Sequence, residues 1–153
     1  TKQYIIWCSQ IDREEKNYPL ALKVVELLND ENVVLLPIQD APHYMMNVYM
    51  RAADVLLLTS KREGSPNVIK EAMACNLPIV STNVGDVEWL LDHVEGAYIA
   101  QDDTPQNVCE CLKKALIFLG HSTGRQRLID IGLTTSSIAS DIINIYTDIC
   151  KMK

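Results

Sequence analysis

Four unbroken apolar runs of strand length limit this chain more than any other feature: residues 4–9 (YIIWCS), 33–38 (VVLLPI), 54–60 (DVLLLTS) and 78–82 (PIVST). None alternates polar with apolar residues, so each suits a strand covered on both faces, as in a parallel sheet between helices. A fifth and weaker run is 96–101 (GAYIAQ). Between the runs the spacing turns helical. Leu20, Leu22, Val24, Val25, Leu27 and Leu28 supply one segment, residues 44–53 another, 66–75 a third and 86–91 a short fourth. Strand and helix in alternation predict an α/β fold, a Rossmann-like doubly wound parallel sheet of about five strands. The last third reads as helices over 104–119, roughly 124–131 and 136–152, broken at 120–122 and at Gly132. A length of 153 residues, 48% of them hydrophobic, suits one domain (1–153) with its own core. No internal repeat, low-complexity tract or linker divides it.

The net charge of -6 argues against nucleic acid as a partner, because a phosphate backbone needs clustered Lys and Arg. It does not exclude a single nucleotide held by a few local cations. The five cysteines (Cys8, Cys75, Cys109, Cys111, Cys150) are odd in number and fall in apolar patterns, as small buried hydrophobes of a reducing compartment would. Cys109 and Cys111 are two apart on an expected helix and make a poor metal pair. No apolar run approaches the roughly 20 residues that span a bilayer, and there is no signal peptide. A soluble, cytoplasmic domain is expected. The chain opens at Thr1 without an initiating Met, which suggests a piece of a longer protein.

In a doubly wound sheet, ligands bind outside the carboxyl ends of the strands, where loops run into helix N-termini. That directs attention to residues 9–17, 60–67 and 82–86. In the second of these, Ser65 before Pro66 reads as a helix cap followed by a first-turn proline. Gly64 would let the backbone approach a ligand or take a positive φ. Val68, Ile69, Ala72, Met73 and Cys75 form an apolar arc, with Glu71 at its edge beside Asn67. The plain structural account is a capped surface helix with two solvated glutamates. The chemical account is different: Glu63 and Glu71 flank a helix N-terminus, where carboxylates could accept sugar hydroxyls while exposed N–H groups meet a phosphate.

Residues 63–80 (EGSPNVIKEAMACNLPIV) resemble the Glu-x7-Glu signature of family 4 retaining glycosyltransferases, whose usual form continues as EAMA-x-G-x-P-V-V. The likeness extends further. Residues 52–60 resemble the family's ADV strand, 81–86 its T-D-V-G loop, and 138–149 its closing helix. The resemblance implies the C-terminal, nucleotide-sugar-binding half of a two-domain GT-B-type enzyme, with the N-terminal acceptor domain outside this chain. It implies a UDP- or GDP-sugar as donor, retaining transfer to an acceptor hydroxyl in polysaccharide or glycoconjugate synthesis, and little activity for this half alone. It also implies no metal or other cofactor, no DxD pair being present, and peripheral membrane association of the full-length enzyme at the inner face.

Carried over residue by residue, the resemblance gives Glu71 the ribose hydroxyls and Glu63 the hydroxyls of the transferred sugar, as the catalytic-site carboxylate. Backbone amides of Gly64, Ser65, Pro66, Asn67 and Val68 mark the segment around sugar and diphosphate, Pro66 itself having no N–H. The family's G-R-x-x-x-x-K loop matches at Lys16. Ser9 replaces its Gly, Gln10 sits near its Arg position, and Arg13 is the natural substitute for that Arg. Only one strand, residues 33–38, fits where the family has two, so the loop that cradles the base must run through 37–42. His43, His93 and His121 read as surface residues, Trp7 as core, and residues 120–125 (GHSTGR) as no phosphate loop. Two other readings stay open. One is a degenerate, non-catalytic nucleotide-binding regulatory module. The other is a receiver-like signalling module, which needs an acidic residue at the carboxyl end of the third strand; here Asp54 opens that strand and Thr59-Ser60 close it.

Overall fold

A computed structural model describes residues 1–151, and the apolar runs become five strands: β1 (Gln3–Cys8), β2 (Val33–Ile38), β3 (Val55–Leu58), β4 (Ile79–Ser81) and β5 (Ala97–Ile99). The helices are α1 (Tyr18–Leu28), α2 (His43–Ala52), α3 (Asn67–Ala74), α4 (Val87–Leu90), α5 (Pro105–Leu116), α6 (Gly124–Asp130) and α7 (Thr135–Lys151), with a 3-10 turn at Glu14–Lys16. All strand pairs are parallel and the order is β2-β1-β3-β4-β5. The succession of strands therefore reverses between β1 and β3. The rule for open α/β sheets places the ligand crevice at such a switch point, outside the carboxyl ends of the strands.

The period-2 alternation of side chains sends successive strand residues to opposite faces, and here both faces are covered. Ile5, Trp7, Val55 and Leu57 pack with Leu20, Val24, Val108 and Leu112 beneath α1 and α5. Ile6, Leu56 and Leu58 pack with Ile69, Met73, Leu90 and Leu128 under α3, α4 and α6. That is why the runs are continuous rather than alternating. Only one strand stands between α1 and β3, as the length of that segment required.

Several expectations shift at their edges. Asp54, Thr59 and Ser60 lie outside β3, and α5 stops at Leu116 rather than 119. Leu22 and Leu27 are exposed, since the apolar face of α1 is carried by Leu20, Ala21 and Val24. Cys109 is buried, Cys8, Cys75 and Cys111 are half-buried and Cys150 is exposed, so the expectation of buried cysteines holds fully for one of five. Asn76 takes φ +53 where the resembled pattern has Gly. Asn is the residue that most readily replaces Gly in left-handed backbone, so the departure is conformationally mild. Residues 120–125 form a packing joint: Ser122 N–H donates to the Asn76 carbonyl (3.0 Å), and a Cβ on Gly124 would lie 2.7 Å from Met73 Cα.

α7 buries no residue, and Ile138, Ile142, Ile145 and Ile149 form an exposed stripe at helical spacing. Residues Gly124–Lys151 include an 18-residue window of mean hydropathy 1.2, 6% of it buried. By length and hydropathy alone this stretch could cross a bilayer, contrary to the expectation that no run approached that size. Its helix is interrupted between α6 and α7, with Gly132 at φ +72, and α7 carries Asp141 and Asp148. The final residue assigned to this helix from sequence, Met152, lies outside the described residues.

Candidate functional site

β3 delivers two buried hydroxyls, Thr59 and Ser60, to the carboxyl edge of the sheet. Thr59 acts as a buckle. Its Oγ1 accepts from the Trp7 indole Nε1 (2.9 Å) and donates toward the carbonyls of Lys16 and Asn17 (3.0 Å each). The loop after β1 is thereby tied to the end of β3, with Asn17 at φ +54 turning the chain into α1. Lys61 N–H adds a bond to the Glu15 carbonyl (2.8 Å). Trp7 is core, as expected, and it also orients the loop through its N–H.

Held this way, Lys16 reaches across the switch point. Its Nζ donates to Glu63 Oε1 at 2.6 Å, and Ser60 Oγ donates to the same oxygen at 2.6 Å. Both side chains of the ion pair are largely shielded, 19% exposed for Lys16 and 13% for Glu63. A charge-assisted pair in such a setting is stronger than an exposed one and costly to break from one side. Among the described residues, Oε2 has no hydrogen-bond donor, so one carboxylate oxygen is held and the other is left to accept. Ser60 was not singled out from sequence; the signal was its place as the closing Ser of the strand motif.

The segment after Glu63 differs from its sequence reading at one point. Ser65 does not cap α3. Its hydroxyl donates to Asp86 Oδ2 (2.6 Å) and accepts from Lys70 Nζ (3.0 Å), while Pro66 occupies the cap position with no side-chain cap bond. Donation to Asp86 aims the hydroxyl away from the helix start, and the Lys70 ammonium takes the acceptor side that a backbone N–H would have used. In consequence the first amides of α3, those of Asn67 and Val68, have no side-chain acceptor and remain open to an anion. Gly64 has no positive φ, and nothing lies within 4 Å of where its Cβ would be, so its backbone can be approached.

Gly85, at φ +58, explains the glycine of the 81–86 loop. A Cβ there would run into the Gly64 carbonyl oxygen and come within 2.9 Å of the Glu63 carbonyl oxygen. The Asp86 N–H donates to that same Gly64 carbonyl (3.1 Å). Gly85→Ala is therefore expected to destabilise the chain by roughly 2–4 kcal/mol, the sum of left-handed strain and a backbone clash. Urea unfolding measures it; an unchanged midpoint would mean that the loop yields freely.

Glu71 stands apart from this cluster, on the wall of a hollow of about 350 Å3 that also takes in Cys8, Ser9, Gln10, Asp40 and Val68. Burial pushes its carboxyl above the ordinary range, and His43, with Nδ1 3.6 Å from Oε1, pulls it back. Burial pushes the Cys8 thiol up to about 12, so the thiol itself carries no charge. Gln10 donates to Asp40 Oδ1 (2.5 Å) and Gln39 accepts from the Ile11 N–H (3.1 Å), closing the loop after β2 against the loop after β1. Arg13 is not brought into the cluster. Its guanidinium pairs with Glu15 and is 55% exposed. The structure thus joins Lys16, Glu63 and the start of α3, sets Glu71 on an adjoining wall, and leaves Arg13 outside.

Residues 31–117 match the family model described as glycosyl transferases group 1. An uncharacterized glycosyltransferase of Haemophilus influenzae (strain ATCC 51907 / DSM 11121 / KW20 / Rd) is 30% identical over 122 residues, 77% of this chain and 32% of that one. A glycosyltransferase from Rickettsia africae ESF-5 superposes with TM-score 0.80 at 12% identity, over 100% of this chain and 49% of the other. A mutant of S. aureus TarM, in complex with Fondaparinux, alpha-GlcNAc-glycerol and UDP, superposes with TM-score 0.73 at 14% identity, over 95% and 36%. At these identities the two structures speak to the fold alone. The chain spans less than half the length of each of these proteins.

Proposed function

Because the chain belongs to the group 1 glycosyltransferases, we propose that it forms the donor half of a retaining transferase, binding a UDP- or GDP-sugar at the β1/β3 switch point. One observation carries this reading: Lys16, Ser60 and Glu63 converge beside the uncapped start of α3, while Glu71 lines the adjoining hollow. The diphosphate lies against Lys16 and the amides of Asn67 and Val68. The ribose hydroxyls donate to Glu71. The free oxygen of Glu63 accepts from the transferred sugar and positions its anomeric carbon.

In the transfer, the bond from that carbon to the diphosphate oxygen breaks and a bond to the acceptor oxygen forms on the same face. The acceptor proton passes to the departing phosphate. Negative charge builds on the diphosphate as it leaves, where fixed cations and amides contribute most. Glu63 acts here by holding the sugar and not as a nucleophile. The exposed isoleucine stripe of α7 supports a second part of the reading: it is an apolar surface suited to an N-terminal acceptor-binding half. Polysaccharide or glycoconjugate chains are the acceptor class we assign.

A non-catalytic nucleotide-binding module is the second reading, and the outward pairing of Arg13 with Glu15 favours it, since the diphosphate then meets one side-chain cation. Calorimetry with UDP-, GDP- and sugar-linked nucleotides tests binding. Lys16→Ala and Glu71→Ala are each expected to weaken it by about tenfold, the loss of one charged hydrogen bond. If both variants bind as tightly as the parent, the site is misplaced. Sugar transfer after joining the chain to its N-terminal half separates the two readings.

A further inference from the structure

At the opposite edge of the sheet, where the strands begin, a larger hollow of about 790 Å3 opens between the ends of α2, α3 and α5 and the start of α6. Arg51, His121 and Arg125 stand on its wall. Among the described residues neither Arg51 nor Arg125 has a carboxylate or a side-chain hydrogen bond. The paired arginines are Arg13, on Glu15, and Arg127, on Asp92 and the Trp89 carbonyl. This is a chain of 20 acidic and 14 basic residues, with carboxylates in excess. Among the described residues Asp54 is the one carboxylate on the wall, and its Oδ2 accepts from the Tyr4 N–H (2.6 Å).

Gln3, Asn47 and Asn76 supply the amide groups of the wall. Asn76 uses its Oδ1 on the Arg125 N–H (2.9 Å), which leaves its NH2 group as the free end. Arg51, Cys75 and Arg125 line this one hollow together. Helix dipoles explain only part of the arrangement. Arg51 sits in the last turn of α2, where carbonyls attract a cation. Arg125 sits in the first turn of α6, where a cation is disfavoured, and among the described residues no carboxylate pairs with it. Two guanidiniums without a protein partner on one wall suit a phosphate group held at that wall, which fills only part of the hollow.

We propose that this hollow binds a small phosphate-bearing anion, gripped by the guanidiniums of Arg51 and Arg125 with His121 and the Asn76 amide as further donors. The site is separate from the crevice at Glu63, so its ligand does not compete with nucleotide. Inorganic phosphate titrated into the 15N-labelled chain is the probe, followed by amide chemical shifts. Shifts at Asn76, His121 and Arg125 are expected to saturate. Arg51→Gln and Arg125→Gln should each weaken binding roughly 5- to 10-fold, and the double variant should abolish it. UDP binding and the melting temperature should stay unchanged, both side chains being exposed.

Sedimentation with phosphatidylglycerol vesicles, against phosphatidylcholine, separates the sources. Co-sedimentation that needs both arginines marks a lipid headgroup as the ligand. Phosphate shifts without it mark a soluble phosphate. Shifts confined to residues 64–68, or a dissociation constant that the double variant leaves unchanged, overturn the proposal, as does the absence of both kinds of binding.

Discussion

Glu63→Gln is expected to lower sugar transfer roughly a hundred- to a thousand-fold while leaving affinity for free UDP or GDP within about threefold. The split follows from geometry. Lys16 and Ser60 both hold Oε1, so the carboxylate is fixed before any ligand arrives and spends no ordering energy in the reaction. Gln keeps the shape and one acceptor oxygen, but its NH2 group replaces either the oxygen that Ser60 and Lys16 hold or the one left for a sugar hydroxyl. It also removes the negative charge beside the reacting carbon. In the proposed site the nucleotide part meets other groups, Glu71 and the amides of α3, and should be barely affected. Lys16, released from its partner, is if anything a better phosphate ligand, so any change in nucleotide affinity should be toward tighter binding. Transfer is measured with the chain joined to the N-terminal half proposed for it, and nucleotide affinity by calorimetry. Turnover within threefold of the parent would remove Glu63 from the reaction. Equal losses in turnover and in UDP affinity would instead make it a nucleotide ligand.

The fold was legible because burial on both faces writes itself as uninterrupted apolar runs. Residues 33–38 form β2 without a change at either end, β3, β4 and β5 lie within the runs assigned to them, and β1 starts one residue ahead of its run, at Gln3. Glu63 and Lys16 were legible as candidates from local spacing and resemblance. What spacing could not supply was which side chain meets which across the sheet. Ser65 followed by Pro66 satisfies every local rule for a cap, yet Asp86, 21 residues later, takes its hydroxyl. Arg13 has the right charge in the right loop, but Glu15, two residues on, holds it outward. Ser60 and Thr59 joined the candidate site only once β1 and β3 lay side by side, which brings Trp7 and Lys16 onto Thr59 over separations of 52 and 43 residues. Local sequence sets periodicity and turns; competition among distant hydrogen-bond partners is decided by the assembled sheet.

Glu71 should show the clearest opposition between stability and binding. Its carboxyl is raised above the ordinary value of 4.5, first by burial, with His43 pulling the other way. In the window from 4.5 up to that raised value, the folded chain holds a proton that the unfolded chain has released. Stability therefore falls as pH rises through the window, and above it the ionised, half-buried carboxylate carries its full cost. Glu71→Gln removes the charge, so the variant should melt higher than the parent at neutral pH. The advantage should vanish at pH values below 4.5, where the parent carboxyl is protonated in both states. Nucleotide binding should move the other way. In the proposed site the ribose hydroxyls donate to an ionised carboxylate, so the variant should bind UDP about tenfold more weakly at neutral pH. In the parent the affinity should decline as pH falls through the same window, and in the variant this part of the pH dependence should be absent. Melting curves and calorimetry from pH 4 to 8 read both signs. A variant that gains stability but keeps its UDP affinity would leave Glu71 a buried carboxylate with no ligand; one that loses both would show that the side chain holds α3 in place.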